Sequence, residues 1–206
     1  MTASASLRAA LGKGYRHSIR LVLLNCAVGI VVVLAAAGAA FVLPLALVAI
    51  AAGPLVAALV HCAVVVTRTD ELGWADAREG LCLHWRVGVA LGALGTAGIG
   101  LGVLAIRFYS RHGVWPLALL AAYLLASFCV WQLVAWPLAI AGTERPLGSA
   151  ARELLHRPLS ALALGAVLLV VNALGTVAVV PVLTLTLAYS FLAAAHFVLP
   201  LEEAST

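Results

Sequence analysis

The side chains best suited to metal or haem chemistry in this 206-residue sequence are six histidines and four cysteines. A haem bound between helices requires two histidines that face each other, each oriented by a second hydrogen-bonding partner. His61 and His196 are the pair that could meet this requirement, because both lie near the end of an apolar segment. We favour the simpler interpretation, in which each makes a single hydrogen bond at the edge of its segment, and we predict no cofactor and no metal.

The cysteines and the short sequence motifs do not indicate catalysis either. No C-x-x-C pair occurs, and free cysteines in separate segments behave as small apolar side chains. They are Cys26, Cys62, Cys82 and Cys129. The chain also lacks the H-E-x-x-H, G-x-S-x-G and Walker sequences that mark common catalytic sites. We therefore predict a protein that is not an enzyme and has no catalytic residue.

Three amides are the most polar side chains within the long apolar segments. Asn25, Gln132 and Asn172 each interrupt such a segment. Amides in an apolar environment usually join neighbouring helices by hydrogen bonds, which contribute about 0.6–2 kcal/mol each. We therefore predict inter-helix hydrogen bonds for all three. The alternative hypothesis is that these amides bind a substrate.

Glycines four residues apart mark one apolar segment as a packing element. Gly88 and Gly92 form one such pair, and Gly98 and Gly102 form a second. Small residues at this spacing let two helix backbones approach closely. We predict that this helix lies at the centre of a bundle or at a subunit contact. The second case would make the protein a homo-oligomer, and the sequence does not decide between the two.

The composition predicts that lipid surrounds most of the chain. Hydrophobic residues make up 65% of the sequence and charged residues only 10%, whereas soluble domains carry about 25% charged residues. A chain of this size lacks the polar residues to cover a globular surface. The basic residues are scattered rather than arranged in a stripe, so we expect a lipid bilayer as a partner and no nucleic acid.

The apolar segments predict an all-α, polytopic transmembrane helical bundle with about six spans. A spanning helix needs about 20 mostly apolar residues. Pro44 separates the first two segments, and Pro181 divides an apolar block that is too long for one crossing; a single kinked span over 161–199 is the alternative. The predicted spans are 19–43, 45–66, 87–106, 116–141, 161–180 and 182–199. They form one domain over 19–200, between an amphipathic tail at 1–18 and a C-terminal tail at 201–206.

The distribution of basic residues predicts the orientation of these spans. With six spans, ten of the twelve arginines and lysines fall on one side and two, Arg107 and Arg111, on the other. The positive-inside rule then places both termini and the loops 67–86 and 142–160 in the cytoplasm. Eleven of the twelve are arginine, which is typical of a GC-rich bacterial genome, so we predict the bacterial plasma (inner) membrane.

The predicted cytoplasmic segments have the pattern of short interfacial helices. Trp74 and Trp85 lie on one helical stripe with small residues between them, and Thr67 is a candidate cap. Indole favours the headgroup layer, so we predict a short amphipathic helix lying flat there, with Arg78 and Arg86 beside it. Residues 142–160 and the tail at 1–18 repeat the pattern. Docking of a partner and a purely topological role for the charges fit these loops equally well.

The order of these features resembles the YesL-like family of small bacterial membrane proteins. The matching stretches are LLNCAVGIVV, AGPLVAALV, WADAREGLCLHWRVG and WPLAIAG, followed by a final apolar block broken by proline. The resemblance covers most of the chain. It implies a membrane protein whose molecular activity is unknown, and which is associated with carbohydrate uptake by ATP-driven transporters. The resemblance implies no catalytic residues.

These observations favour a non-enzymatic accessory of a transporter, bound to a permease or ATPase through its cytoplasmic loops. The alternative is a membrane-spanning subunit of a transporter, since ADAREG at 75–80 is loosely similar to the loop by which permeases contact their ATPase. A membrane protein that binds haem or a metal through His61 and His196 is the third hypothesis.

Overall fold

The computed structural model describes residues 3–16, 18–41, 52–178 and 186–199, and every regular element within them is helical. This confirms the predicted all-α class. In chain order the described helices are α1 (Ala3–Arg16), α2 (Ser18–Phe41), α3 (Gly53–Thr69), α4 (Trp74–Arg111), α5 (Trp115–Ile140), α6 (Pro146–His156), α7 (Pro158–Ala178) and α8 (Leu187–Val198). The predicted breaks at Pro44 and Pro181 and the predicted tail at 201–206 lie outside the described residues.

Two of these helices are long and apolar enough to cross a membrane. They are α4, with 38 residues, and α5, with 26 residues. The pair α6 and α7 is bent by 106° and makes a third candidate if it counts as one span. Shorter apolar stretches lie at Ile19–Ile30, Gly53–Thr69 and Leu187–Val198. The described helices are therefore compatible with a membrane location, and the number of six spans stays a prediction.

The centre of the bundle is formed by α3 and α8. Leu59 and Val60 of α3 and Leu192 of α8 are fully buried, and α8 packs against α1, α3 and α5. Trp136 of α5 contacts Phe191 of α8 with ring centroids 6.2 Å apart. Small and branched side chains along these two helices let several neighbours pack against them at once.

The glycine-rich helix α4 lies at the periphery of the described bundle rather than at its centre, and the other predicted role, a subunit contact, stays a prediction. Its buried residues are Gly80, Gly88 and Leu91, whereas Leu101 and Leu104 are 69% and 64% exposed. It packs against α3 along one edge and α5 along another. The glycines mark these two edges, and the remaining faces carry apolar side chains that suit lipid.

One continuous helix replaces the short flat helix predicted before residue 87. Helix α4 begins at Trp74, after Gly73, whose N–H donates to the carboxylate of Asp76 at 2.6 Å. The predicted cap Thr67 instead belongs to α3 and donates to the carbonyl of Ala63 at 2.8 Å. Trp74 and Trp85 are separated by about 16 Å along this axis. If α4 crosses the bilayer as one continuous helix, Trp74 and Trp85 lie at different depths, so residues 74–86 cannot form a separate helix lying flat in the headgroup layer.

Three of the four predicted glycines make close helix crossings. A Cβ at Gly88 would lie 2.7 Å from the carbonyl oxygen of Gly53 in α3. A Cβ at Gly102 would lie 2.8 Å from Leu125 of α5, and one at Gly98 would collide with the ring of Phe128. Gly92 is half-buried, and its carbonyl accepts a hydrogen bond from Thr96 at 2.8 Å.

We expect Gly88→Ala to destabilise the protein and Gly100→Ala to leave it unchanged or slightly more stable. A methyl group at Gly88 meets backbone atoms of α3, which cannot move aside as a side chain would, whereas nothing lies within 4 Å of Gly100. Overpacking of this kind costs about 1–3 kcal/mol, and alanine favours a helix over glycine. The measurement is the thermal unfolding midpoint of each variant in mild detergent. Equal midpoints for the two variants would contradict the crossing.

Candidate interaction site at the charged end of the bundle

The segments that carry most of the charge lie together at one end of the bundle. Helix α1 reaches the end of α3 through Lys13, whose ammonium lies 3.6 Å from the carboxylate of Asp70. Helix α6 packs its Ala150 against Val134 and Ala135 of α5, and Trp131 of α5 donates to the carbonyl of Leu147 at 3.1 Å. The N-terminal helix, the turn before α4 and the α6 segment therefore form one charged end.

Lys13, the single lysine of the chain, joins α1 to the last turn of α3. Its ammonium donates to the carbonyls of Val66 and Thr67 at 2.9 and 3.1 Å. The last carbonyls of a helix have no intrahelical donor and form the negative end of its dipole, so a cation there is favourable. Asp70, the next residue after the helix, turns the chain with a left-handed backbone at φ 58°. Among the α1 residues whose burial is described, Ser6 and Ala10 are buried, whereas Leu11 and Tyr15 are exposed.

The two histidines of the haem hypothesis have different neighbours. His61 of α3 lies against His84 of α4, with ring centroids 5.2 Å apart. His196 of α8 is 1% exposed, and the charged groups that act on it electrostatically are Lys13 and Asp70. His61 and His196 therefore do not face each other in the structure. The described residues contain no cluster of three His, Cys, Asp or Glu side chains that could hold a metal ion.

The histidines also differ from prediction in their hydrogen bonds. Neither ring nitrogen of His196 has a hydrogen-bond partner among the described residues, although a single bond was expected. The pKa of His84, which lies before the uncharged stretch of α4, is lowered by its burial and then by the neighbouring His61. Gly80 lets the His61 ring approach α4, because a Cβ there would lie 2.7 Å from that side chain.

The predicted amides Asn25 and Asn172 both reach the beginning of α8. Asn25 of α2 is fully buried and accepts a hydrogen bond from the N–H of Ala188 at 2.8 Å. Asn172 of α7 donates to the hydroxyl of Ser190 at 2.8 Å. Asn25 therefore joins α2 to the first described turn of α8 by an inter-helix hydrogen bond, as predicted for a buried amide.

Gln132 joins α5 to α4. Its amide nitrogen donates to the carbonyl of Leu91 at 2.8 Å, and its buried amide oxygen has no hydrogen-bond partner among the described residues. Gly95 makes room for this contact, since a Cβ there would lie 2.9 Å from the amide nitrogen. A buried carbonyl left without a donor costs about 1–3 kcal/mol.

The predicted interfacial residues lie on the exposed surface of the charged end. Trp74 and Trp85 are 59% and 49% exposed, and the guanidinium of Arg86 lies 5.3 Å from the centre of the Trp85 ring. Arg78 is exposed on the same part of α4. Exposed tryptophan and arginine side chains are the types most often found at the centre of protein contacts.

A cavity with a mixed polar and apolar lining, which the sequence does not reveal, opens beside these residues. It has a volume of about 590 Å³ and lies between α2, the end of α3 and the start of α4. Its charged lining residues are Arg20, Glu71 and Asp76. The available signal was the run of acids around Gly73, but no local pattern shows that Arg20 faces it.

Comparison with protein-family models, curated proteins and solved structures finds no significant match to this chain.

We expect Lys13→Met to loosen α1 from the bundle. The substitution keeps the length of the side chain but removes two hydrogen bonds from a charged donor, each of which contributes about 1.5–3 kcal/mol. The measurement is amide hydrogen exchange of residues 3–16 in detergent, which should become faster by about tenfold or more. The matched control is Arg8→Met on the exposed face of the same helix. Equal exchange in the two variants would show that Lys13 does not hold α1 in place.

Proposed function

We propose that this protein is a non-enzymatic integral membrane protein that assists a transporter, and that its charged end is the docking surface for a permease or an ATPase. The observation that carries the proposal is that the charged segments are folded onto the bundle: α1 contacts the end of α3, directly before the start of α4, and α6 packs against α5. Carbohydrate as the transported class rests on the family resemblance of the sequence alone.

The lengths of α4 and α5 support their placement across a bilayer. Arg86 and Arg107 bracket 20 uncharged residues of α4, which span about 30 Å, the thickness of the hydrocarbon core. Helix α5 has 26 residues and is therefore about 39 Å long, which also exceeds the thickness of the hydrocarbon core. In the proposed topology six spans cross the plasma membrane of a bacterium, and both termini lie in the cytoplasm.

The start of α4 is suited to protein contact because it is part of one continuous helix held against α3. Residues 74–86 precede the uncharged stretch of the helix, and a Cβ at Gly80 would meet the side chain of His61 in α3. This part exposes Trp74, Arg78 and Glu79, and the cavity lies beside its first turn. A rigid element with exposed tryptophan and arginine loses little conformational freedom on binding.

We expect the docking surface to be sensitive to charge reversal at Arg78. After extraction from native membranes in mild detergent, the wild-type protein should bring down a permease or an ATPase, and Arg78→Glu should recover at least fivefold less of it. An arginine at the centre of a contact commonly contributes more than about 1 kcal/mol. The matched control is Arg111→Glu, at the other end of α4, which should behave as the wild type.

Three outcomes would overturn the accessory role. The first is repeated recovery of the protein alone, and the second is equal loss in Arg78→Glu and Arg111→Glu. The third is uptake of a sugar into liposomes that contain only the purified protein and an ATPase, with no other permease. This result would make the chain a transport subunit.

We expect Cys82 to report the orientation directly. It lies on the charged part of α4 and is the exposed one of the four cysteines. A membrane-impermeant thiol reagent should therefore label it in inverted membrane vesicles and not in intact spheroplasts. A Cys82→Ser, Arg111→Cys variant should show the reverse pattern, because residue 111 lies beyond the other end of the span. Labelling of Cys82 from outside the cell would exclude the proposed topology.

A further inference from the structure

An apolar groove runs along the outer surface between α5 and α7. It has a volume of about 590 Å³ and is lined by residues of α5, α6 and α7. Tyr123 marks one end of the groove, and Leu155 and Pro158 mark the other. At Gly165 the two long helices touch, since a Cβ there would collide with Val130. The groove is therefore a recess between two touching helices rather than a flat apolar face.

The bend between α6 and α7 places a polar helix at one end of this groove. The two helices meet at 106° around Arg157. If α7 runs close to the membrane normal, α6 lies within about 20° of the membrane plane. Its Ala150 and Leu154 face the protein, whereas Arg152 and His156 are exposed. This is the arrangement of an amphipathic helix at the headgroup layer.

The length of the groove matches one leaflet of a bilayer. Its lining on α7 extends from Pro158 to Val170, which is about 18 Å along the helix. Half of the hydrocarbon core is about 15 Å thick. A groove that begins at the α6–α7 bend therefore ends near the middle of the bilayer, where an acyl chain ends.

The charges beside the bend favour a negative headgroup. Arg152 is exposed and has no ion-pair partner among the described residues, and Arg157 is 48% exposed. Glu153 approaches Arg157 at 3.5 Å and neutralises part of its charge. The other acid of this segment, Glu144, precedes α6 at its far end.

We propose that the groove between α5 and α7 holds one acyl chain of an anionic phospholipid, with its phosphate against Arg152 and Arg157. The apolar recess selects the chain, and the guanidinium groups select the headgroup. Arginine suits a phosphate because its planar group can donate two parallel hydrogen bonds. The proposal goes beyond transporter assistance and depends only on the membrane placement, which Cys82 labelling tests separately.

The experiment counts phospholipid retained by the detergent-extracted full-length protein in native mass spectrometry. The protein is first incubated with mixed vesicles of phosphatidylglycerol and phosphatidylcholine. We expect the wild-type protein to retain one phosphatidylglycerol per chain in preference to phosphatidylcholine. Ala166→Trp, which fills the groove from an exposed lining position, should lose this lipid. Ala163→Trp, exposed on the same helix outside the groove, is the matched control and should retain it.

A second variant separates the headgroup from the chain. Arg152→Gln should keep a bound lipid but lose roughly fivefold of the preference for phosphatidylglycerol, as expected for one basic side chain at an anionic lipid surface. Arg111→Gln should keep the full preference.

Equal retention of phosphatidylglycerol by Ala166→Trp and Ala163→Trp would overturn the site, because the retained lipid would then be bound non-specifically to the apolar surface. Equal binding of both phospholipids by the wild-type protein would overturn the headgroup assignment. A change of oligomeric state in Ala166→Trp without loss of lipid would assign the groove to a second copy of the chain.

Discussion

The absence of water from the apolar interior is the constraint on which this structure depends. A backbone N–H or carbonyl in such an environment must find its partner within the protein, and helices meet this demand within each segment. What helices cannot satisfy alone are their own ends. The structure resolves two such ends with side chains from other helices. Asn25 of α2 accepts from the beginning of α8, and Lys13 of α1 donates to the end of α3.

These two contacts also explain why α3 and α8, rather than the longest helix, form the centre. Both helices are short and apolar, and their neighbours supply the polar partners at their ends. Helix α4 has the length and composition to cross a bilayer independently. It therefore needs only two narrow edges of contact, one at Gly88 against α3 and one at Gly98 and Gly102 against α5. Its exposed leucines remain available to lipid.

The proposed functions use different surfaces of this arrangement. The charged end exposes Trp74 and Arg78 on α4 beside a cavity, which suits a contact with another protein. The apolar groove between α5 and α7 lies on the outer surface, with Arg157 next to its lining residue Pro158. A lipid bound there would lie beside α6.

The helical class, the charged and uncharged segments and the positions where helices approach closely could all be predicted from the amino-acid sequence. Each follows from local properties: hydropathy over about 20 residues, small residues four apart and clustered charges. Gly88, Gly98 and Gly102 could be predicted as close contacts for this reason, and Asn25 and Asn172 as residues that join helices.

Which elements contact each other could not be predicted in this way and is known from the folded structure. Local patterns assign a residue to a face, but the partner of that face depends on packing between distant segments. This is why His61 lies against His84 and not with His196, and why Lys13 meets the end of α3. The continuous helix α4 was missed for a different reason. The charged stretch before residue 87 and the apolar stretch after it both permit a helix, so the change in composition does not show whether the helix breaks there. The cavity at the start of α4 and the apolar groove between α5 and α7 lie between helices, so no single segment of the sequence indicates them.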